Sequence, residues 1–287
     1  MKNVPDWQTL LFVPVGAERH LASALRHRPD AIVLDLEDAI ASDAKPGARR
    51  QLAAAQARVA EAGIGCVVRV NSPLAVMVED IAAADLKHLD GLIVPKCESA
   101  RPLENAAELI GPGPGLIALI ETPAAVTNLH EIASVPGVVG LMLGSEDYSA
   151  ALGVDPNGGA LDFLAAAIGI ACAPRDLLSI GFPGSLANFS DLDRYGSQIE
   201  RGRHLGMRAV AAIHPAQLPV IRERLAPTAS EMAWANRVLE AAGEIEGQAH
   251  AVTAREGGLI DAPVIARARR IKETSERLRF ADRRDAT

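Results

Sequence analysis

Aromatic residues and cysteines are scarce in this sequence. Phe, Trp and Tyr together make up 3% of its 287 residues, which favours an Ala- and Leu-rich α/β protein over an all-β sandwich. The three cysteines, Cys66, Cys97 and Cys172, are far apart, and no two of them have the spacing of a metal-binding or redox pair. We therefore expect three buried, reduced thiols.

An excess of basic residues and long apolar runs are also missing. The sequence has 29 Lys and Arg against 36 Asp and Glu, a net charge of −7, and it has no basic block, so nucleic acid is not an expected partner. No apolar run approaches the roughly 18 residues of a membrane span, and the N-terminus has no signal-peptide pattern. We expect a cytoplasmic protein without membrane contact.

Short apolar segments alternate with helical segments along the chain. Eight strands are predicted, at residues 9–15, 31–36, 65–70, 90–95, 115–121, 138–144, 177–182 and 208–214. Strand–helix alternation over this length predicts a (β/α)8 TIM barrel, an α/β fold, over residues 1–225. An open doubly wound sheet is the alternative, but no Gly-x-Gly-x-x-Gly opens a first helix, which argues against a dinucleotide-binding fold.

The pattern changes after the eighth predicted strand. Residues 215–245 are predicted to be helical, a loop is predicted at 246–259, and the tail from Pro263 has the pattern of a basic helix. A barrel does not need this segment. Residues 226–287 are therefore predicted to form a helical extension that covers the barrel mouth as a lid or reaches a neighbouring subunit.

Single polar residues follow the apolar runs of five predicted strands: Arg69, Lys96, Glu121, Asp147 and His214. All strand C-termini of a parallel barrel meet at one face, where barrel enzymes have their active sites. Glu121 and Asp147 end consecutive strands, and two such carboxylates would repel each other. Mg²⁺ would offset this repulsion with few protein ligands, completed by water and substrate. Capping of the following helices is the alternative role.

Arg69 offers a planar guanidinium that suits a carboxylate or an oxygen with developing negative charge. The alternative is an ion pair with Asp35 or Glu37, which point to the same side of the segment "VLDLEDA", while Asp38 points to the other. These acids can orient Arg69, hold metal-bound waters or act as a base. They can also form the acidic first turn of a helix.

Three further features are ambiguous. Gly144, Ser145 and Glu146 lie at a turn into a helix, whose free N–H groups can bind a substrate carboxylate. Lys96 is the only one of five lysines that ends a predicted strand, so it can form a Schiff base, as in class I aldolases, or balance the acidic face. His214, before a proline, suits a structural role as well as a catalytic one.

Taken together, these motifs resemble the citrate lyase β-subunit-like branch of the HpcH/HpaI aldolase family. The resemblance runs from about residue 10 to 270 and includes "DAIVLDLEDAI", "VVRVN", "LIALIETPAAV", "VVGLMLGSEDYSAALG" and "GGLIDAPVIARA". It implies a (β/α)8 barrel, a Mg²⁺ cofactor and cleavage or formation of a C–C bond next to a 2-oxoacid. It also implies a homotrimer or hexamer.

The resemblance also implies roles for residues. Arg69 matches the substrate-binding arginine, and Glu121 and Asp147 match the metal-binding pair. Asp261, in "GLIDAP", matches an acid in the C-terminal segment, which closes over a neighbouring subunit's active site in malyl-CoA lyase-like members. The expected base is Asp261 from a neighbour or an acid of the "DLED" group such as Glu37. The expected substrate is a β-hydroxyacyl thioester such as malyl-, citramalyl- or citryl-CoA, cleaved to an acyl thioester and a 2-oxoacid.

The sequence departs from the family pattern near the expected path of a CoA tail. Val15, Ala17 and Ser23 replace a common Gly, a basic residue and a lysine, and Ala209-Val210 stands where Gly-Lys is usual. The remaining candidates for phosphate contacts are Arg19, Lys45, Arg49 and Arg50. An aldolase acting on free 4-hydroxy-2-oxoacids without CoA is therefore the alternative.

Two other classes fit the sequence less well. A phosphoryl-transferring barrel enzyme would need a catalytic His or several cations around phosphate, and His214 is the only histidine at a predicted strand end. A non-catalytic protein that kept the fold would be expected to lack Arg69 or one of the two carboxylates, and the sequence has all three.

Overall fold

The eight predicted strands form one parallel β-barrel. A computed structural model describes residues 6–187, 190–243, 252–253 and 259–285. The strands are β1 (Thr9–Pro14), β2 (Ala31–Asp35), β3 (Gly65–Arg69), β4 (Gly91–Val94), β5 (Gly115–Ile120), β6 (Val138–Leu143), β7 (Leu178–Ile180) and β8 (Val210–Ala212). They pair in the order β7-β6-β5-β4-β3-β2-β1-β8. A parallel bridge between Ile180 and Ala209 links β7 to the start of β8, so the ring is nearly closed and the barrel prediction is confirmed.

Helices connect successive strands and keep them parallel, because each crossover returns the chain to the same end of the barrel. They are α1 (Glu18–His27), α2 (Lys45–Glu61), α3 (Leu74–Ala83), α4 (Arg101–Ile110), α5 (Pro123–Thr127), α6 (Leu129–Ala133), α7 (Ser145–Leu152), α8 (Ala160–Cys172), α9 (Leu192–His204) and α10 (Gln217–Leu225). Among helices in the described ranges, none combines the length and apolar character needed to cross a membrane.

Branched and small apolar side chains fill the barrel. The central cluster comprises Leu10, Ala31, Val33, Val67, Ile93, Ile117, Leu119, Val139, Met142, Leu178, Ile180, Ala209 and Ala211. Trp7 packs against this cluster near the N-terminal ends of β3 and β4, where the strands begin with Gly65 and Gly91. A Cβ at Gly65 would lie 2.9 Å from the indole ring, so this position admits only glycine without rearrangement.

The chain divides into two compact units after Ile221, within α10. In the second unit α11 (Ala229–Gly243) packs on α12 (Ala262–Asp285). Their shared core contains Ala235, Val238, Ile260 and Ala268. The predicted helices at 215–245 and beyond Pro263 are therefore present. Residues 244–251 and 254–258, which include the end of the predicted helical stretch and most of the predicted loop, lie outside the described residues.

The prediction of a loop over residues 246–259 was wrong at residues 252–253 and at residue 259. Two short strands, β9 (Val252–Thr253) and β10 (Leu259–Ile260), pair antiparallel there. Both contain β-branched residues, which suit strands. Two residues are too few for a period-2 alternation to be visible, so the sequence pattern gave no strand signal.

The cysteines provide the first test of this fold. All three are free and buried, and burial raises the pKa of each thiol to about 12. Only thiolates react readily with Ellman's reagent, so we expect no rapid labelling of the folded protein at mildly alkaline pH. In denaturant all three thiols should react at once. Labelling of a thiol in the folded protein at the rate seen in denaturant would contradict this packing.

Candidate active site

Arg69 is the centre of an ion-pair cluster at the C-terminal ends of β2 and β3. Asp35 and Arg69 are partners in the register of these strands. The guanidinium donates two hydrogen bonds to Asp35, from Nε to Oδ1 and from Nη2 to Oδ2, both of 2.7 Å. Nη1 lies 2.9 Å from Oε2 of Glu37, and Cζ lies 5.0 Å from the ring centroid of Phe12. The planar guanidinium is thus held by carboxylates along its edge and by an aromatic ring against its face.

Glu37 lies between two cations in this cluster. Oε2 faces Arg69, and Oε1 is 3.6 Å from Nζ of Lys96. The side chain is almost fully buried, and this burial raises the pKa of its carboxyl to about 7, although Arg69 opposes the shift. A carboxyl with a pKa near neutrality can both accept and donate a proton, as general acid–base catalysis requires.

Lys96 has an unusual backbone conformation directly after β4. Its φ is +54°, a left-handed value that side-chain-bearing residues seldom adopt and that concentrates at functional sites. In this conformation its N–H donates a 2.7 Å hydrogen bond to Oε1 of Glu121. Partial burial disfavours the charged amine, but Glu37 and the other nearby carboxylates outweigh it and raise the pKa of Lys96. A protonated amine suits an electrostatic role better than Schiff-base formation.

Glu121 follows β5 directly, and Asp147 lies beyond the end of β6, within α7. Glu121 is buried directly after β5, whereas Asp147 is exposed in the first turn of α7. Burial raises the pKa of Glu121 to about 8; Glu37 and Asp147 add to the shift, while the Lys96 N–H opposes it. In the described part of the chain, no three His, Cys, Asp or Glu residues form a cluster able to hold a metal. Any metal here would need ligands from water and substrate besides this pair.

Gly144 makes room for the Glu121 carboxylate. A Cβ at this position would lie 2.5 Å from Cβ and 2.9 Å from Oε2 of Glu121. Ser145 begins α7 directly after it, and the buried Ser145 hydroxyl has no hydrogen-bond partner. The N-terminus of α7 therefore lies at the same barrel end as Glu121, with a polar group available to a ligand.

Two predicted residues make structural contacts. Oε1 of Glu146 accepts hydrogen bonds from Oγ of Ser185 (2.6 Å) and N of Leu186 (3.1 Å), which ties the segment after β7 to α7. His214 is exposed, and its Nδ1 accepts a 3.1 Å hydrogen bond from the backbone of Ala216. The Glu146 contacts depend on tertiary structure that its motif did not indicate, whereas the His214 contact joins residues two positions apart.

Asp261 belongs to the second unit, where it caps α12. Its Oδ1 accepts a 3.1 Å hydrogen bond from the N–H of Val264, as expected of an aspartate at a helix N-terminus. Pro263 near the start of this helix strengthens the signal. The sequence "DAP" therefore indicated this structural role as well.

Sequence reasoning missed a group of polar residues behind the cluster. Lys45 and Arg49, considered there as phosphate contacts, bind groups within the barrel. Lys45 donates to the backbone oxygens of Leu36 and Glu37, at 3.2 and 3.1 Å, and Arg49 pairs with the buried Asp80 at 2.7 Å. Arg19 and Arg50 are exposed. A lysine at the first position of α2, where acidic residues are favoured, was the signal that could have indicated these contacts.

These features define a class of protein. The molecule is a (β/α)8 barrel whose strand ends place an arginine, a lysine and several carboxylates at the face used by barrel enzymes. The family model described as HpcH/HpaI aldolase/citrate lyase matches residues 8–215. The chain therefore belongs to the HpcH/HpaI aldolase/citrate lyase family, a family of enzymes, as its motifs predicted.

Individual relatives match nearly the whole chain. It is 32% identical to the citrate lyase subunit beta-like protein of Deinococcus radiodurans, over 91% of this chain and 95% of the relative. It is 30% identical to a (3S)-malyl-CoA thioesterase of Cereibacter sphaeroides, over 94% and 95%. The crystal structure of CitE from Mycobacterium tuberculosis in complex with magnesium, acetoacetate and coenzyme A is similar, with a TM-score of 0.77 and 28% identity, over 94% and 98% of the two chains.

The space beside Glu121 can be tested with Gly144→Ala. The new Cβ would overlap Glu121, so we expect a loss of about 1–3 kcal/mol in the free energy of unfolding, the usual cost of overpacking. Gly159→Ala is the matched control, because φ there is −74° and a Cβ would have no neighbour within 4 Å. Urea unfolding measures both variants. An equal midpoint for Gly144→Ala and the wild type would contradict the contact.

The environment of Glu37 predicts a pH dependence of stability. Its pKa is about 7 in the folded protein against an ordinary 4.5. The folded state therefore binds this proton more tightly, and the resulting stabilisation is complete below pH 4.5 and is lost as the pH rises to 7. Glu37→Gln cannot ionise, so its stability relative to wild type should rise across this interval, by about 1–3 kcal/mol.

The measurement is urea unfolding at several pH values in the presence of a chelator. Glu108→Gln, on an exposed part of α4, is the matched control for loss of one carboxylate. A difference between Glu37→Gln and wild type that stays constant with pH would refute the buried, proton-retaining state of Glu37.

Proposed function

We propose that this protein is a Mg²⁺-dependent carbon–carbon lyase of the cytoplasm. Its substrate would be a β-hydroxyacyl thioester such as malyl-, citramalyl- or citryl-CoA, and its products an acyl thioester and a 2-oxoacid. The observation that supports this most is the cluster of Arg69, Asp35 and Glu37 beside the buried carboxylate of Glu121. Family membership and the citrate lyase subunit beta-like relative support the same chemistry, and the (3S)-malyl-CoA thioesterase supports a malyl-CoA-type substrate.

Glu121 and Asp147 are the proposed Mg²⁺ ligands. Both offer the hard oxygen donors that Mg²⁺ prefers. Oε1 of Glu121 accepts the Lys96 N–H, and the absence of a side chain at Gly144 lets the carboxylate lie close to the start of α7, the helix that contains Asp147. A Mg²⁺ ion bound there would polarise the hydroxyl and carboxylate oxygens of the substrate. The magnesium in the similar CitE structure supports the assignment.

Arg69 and Glu37 are the proposed catalytic residues. Glu37 takes the proton of the substrate hydroxyl, the C–C bond breaks, and its electron pair remains on the α-carbon of the thioester as an enolate. The former hydroxyl carbon becomes the carbonyl of the 2-oxoacid, and protonation of the enolate gives the acyl thioester. Arg69, already oriented by Asp35, stabilises negative charge on the reacting oxygen. Asp261 of a neighbouring subunit is the alternative base.

The remaining site residues have binding roles in this proposal. Glu121 contributes to substrate binding through its place beside the reacting oxygens, and Gly144 and Ser145 offer backbone N–H groups to the substrate carboxylate. Glu146 supports this subsite by holding the segment that contains Ser185. A homotrimer or hexamer is proposed, in which the C-terminal unit, residues 226–287 in our division, acts as a lid.

An aldolase that uses free 4-hydroxy-2-oxoacids is the second candidate. One observation favours it: two of the four basic residues considered for phosphate contacts, Lys45 and Arg49, are bonded within the barrel. The coenzyme A in the similar CitE structure favours the thioester. The carrier is therefore the part of the proposal to test first.

The test is a panel of malyl-, citramalyl- and citryl-CoA beside free 4-hydroxy-2-oxoacids, with 2-oxoacid release measured in Mg²⁺ and in chelator. We expect Mg²⁺-dependent release from at least one CoA ester. Release from free acids only would replace the thioester substrate by the second candidate. No release from any substrate, or equal release in chelator, would overturn the proposed reaction or its metal dependence.

Loss of the metal pair provides the matched control for this assay. Glu121→Gln with Asp147→Asn should lower Mg²⁺-dependent release by at least about 100-fold, since one positioned electrostatic group is worth that much. The exposed pair Glu108→Gln with Asp193→Asn removes the same charge elsewhere and should retain activity. Circular dichroism checks that both variants fold.

A further inference from the structure

A polar network lies behind the acidic turn that follows β2, and Lys45 is at its centre. The Nζ atom of Lys45 donates to the backbone oxygen of Leu36 at 3.2 Å, to that of Glu37 at 3.1 Å and to Oδ1 of Asn71. These contacts use all three donors of the ammonium group on uncharged oxygens. The side chain therefore serves as a three-way link between α2, the turn after β2 and the end of β3.

The position of Lys45 in its helix is unfavourable by itself. Lys45 is the first residue of α2, and the first turn of this helix has no acidic residue. A positive charge at a helix N-terminus opposes the helix dipole and is therefore unfavourable. Helix preference thus does not explain a lysine here, whereas its contacts with the turn do.

Asn71 is fixed by a second layer of charge. Its N–H and Nδ2 both donate to Oδ2 of Asp80, at 2.8 and 2.6 Å, and Nδ2 also donates to the Leu36 oxygen at 3.0 Å. Asp80 is fully buried, and its other oxygen accepts a 2.7 Å hydrogen bond from Nε of Arg49. A buried carboxylate is tolerated only when it is satisfied in this way. The amide oxygen of Asn71 is therefore held toward Lys45.

The network acts on the backbone that presents Glu37. The Glu37 N–H donates to Oδ1 of Asp35 at 2.9 Å, its carbonyl accepts from Lys45, and the Leu36 N–H donates to the carbonyl of Arg69 at 3.0 Å. The Leu36 oxygen accepts from Lys45 and Asn71, so both sides of the Leu36–Glu37 peptide are bonded. The Glu37 side chain therefore starts from a fixed backbone position, from which its carboxyl contacts Arg69 and Lys96.

We propose that Lys45, supported by Asn71 and Asp80, is a positioning residue that fixes the Glu37 carboxyl against Arg69 and Lys96. It acts through the peptide of Glu37 and has no contact with substrate. The kinetic part of this inference rests on the proposed lyase function, whereas the structural part does not.

The experiment compares Lys45→Met, Lys45→Arg and Lys87→Met with the full-length wild type. Lys87 is exposed next to α3, so Lys87→Met controls for loss of a lysine. Amide hydrogen exchange is measured for a peptide covering residues 36–40 and for one in β5, and kcat and KM are measured on the CoA ester that the wild type cleaves. Thermal unfolding checks that each variant is folded.

For Lys45→Met we expect faster exchange at residues 36–40 and unchanged exchange in β5. A displacement of about 1 Å can cost roughly 100-fold in rate, so kcat should fall by at least about 10-fold while KM stays within about threefold. Lys45→Arg keeps the charge and several donors, so its exchange at residues 36–40 should rise less and its kcat should fall less. If Lys45→Met does not fold, intermediate exchange in Lys45→Arg is the expected result.

Wild-type exchange at residues 36–40 in folded Lys45→Met, or in Lys45→Arg where only that variant folds, would overturn the proposal. A raised KM with unchanged kcat would also overturn it, because it would indicate a substrate or phosphate contact. If the wild type cleaves no substrate, the lyase function fails and the exchange measurement alone decides the role of Lys45.

Discussion

The guanidinium of Arg69 is the interaction on which the site depends. Asp35 and Glu37 are both buried at the end of β2, and two carboxylates in such a position repel each other and lose hydration. Arg69 opposes both costs, because its three nitrogens face the two acids while its plane lies over Phe12, although burial still raises the pKa of Glu37 to about 7. The two acids can lie this close together at the end of β2 because this cation comes from the neighbouring strand.

Around this pair, cations and acids come from alternating parts of the fold. The acids lie after β2, after β5 and in α7, and the cations lie at the end of β3, after β4 and at the start of α2. Lys96 links two of the acids, since its amine faces Glu37 while its backbone N–H binds Glu121. This arrangement couples the proposed proton-transfer residue to the proposed metal ligand through one residue whose backbone is strained.

Much of the fold could be predicted from the sequence, because a parallel barrel needs only repeated apolar strands and amphipathic helices. Strand ends follow directly from such a pattern, which is why Arg69, Lys96 and Glu121 were predicted to lie at one face of the barrel. The contacts of Lys45 and Glu146 could not be predicted in this way. They join residues from 8 to 40 positions apart, and local periodicity has no information about which side chains meet across elements. The two-residue strands β9 and β10 were too short to have a pattern.

The opposite end of the barrel is built on a different constraint. There the indole of Trp7 lies against strands that begin with glycine, and a methyl group at Gly65 would already overlap it. Residues in the loops at the other end can be substituted without disturbing this contact. Selection for a new substrate and selection for stability thus act on opposite ends of the same barrel. Substitutions at the C-terminal ends of the strands could therefore change the chemistry while the packing around Trp7 stays the same.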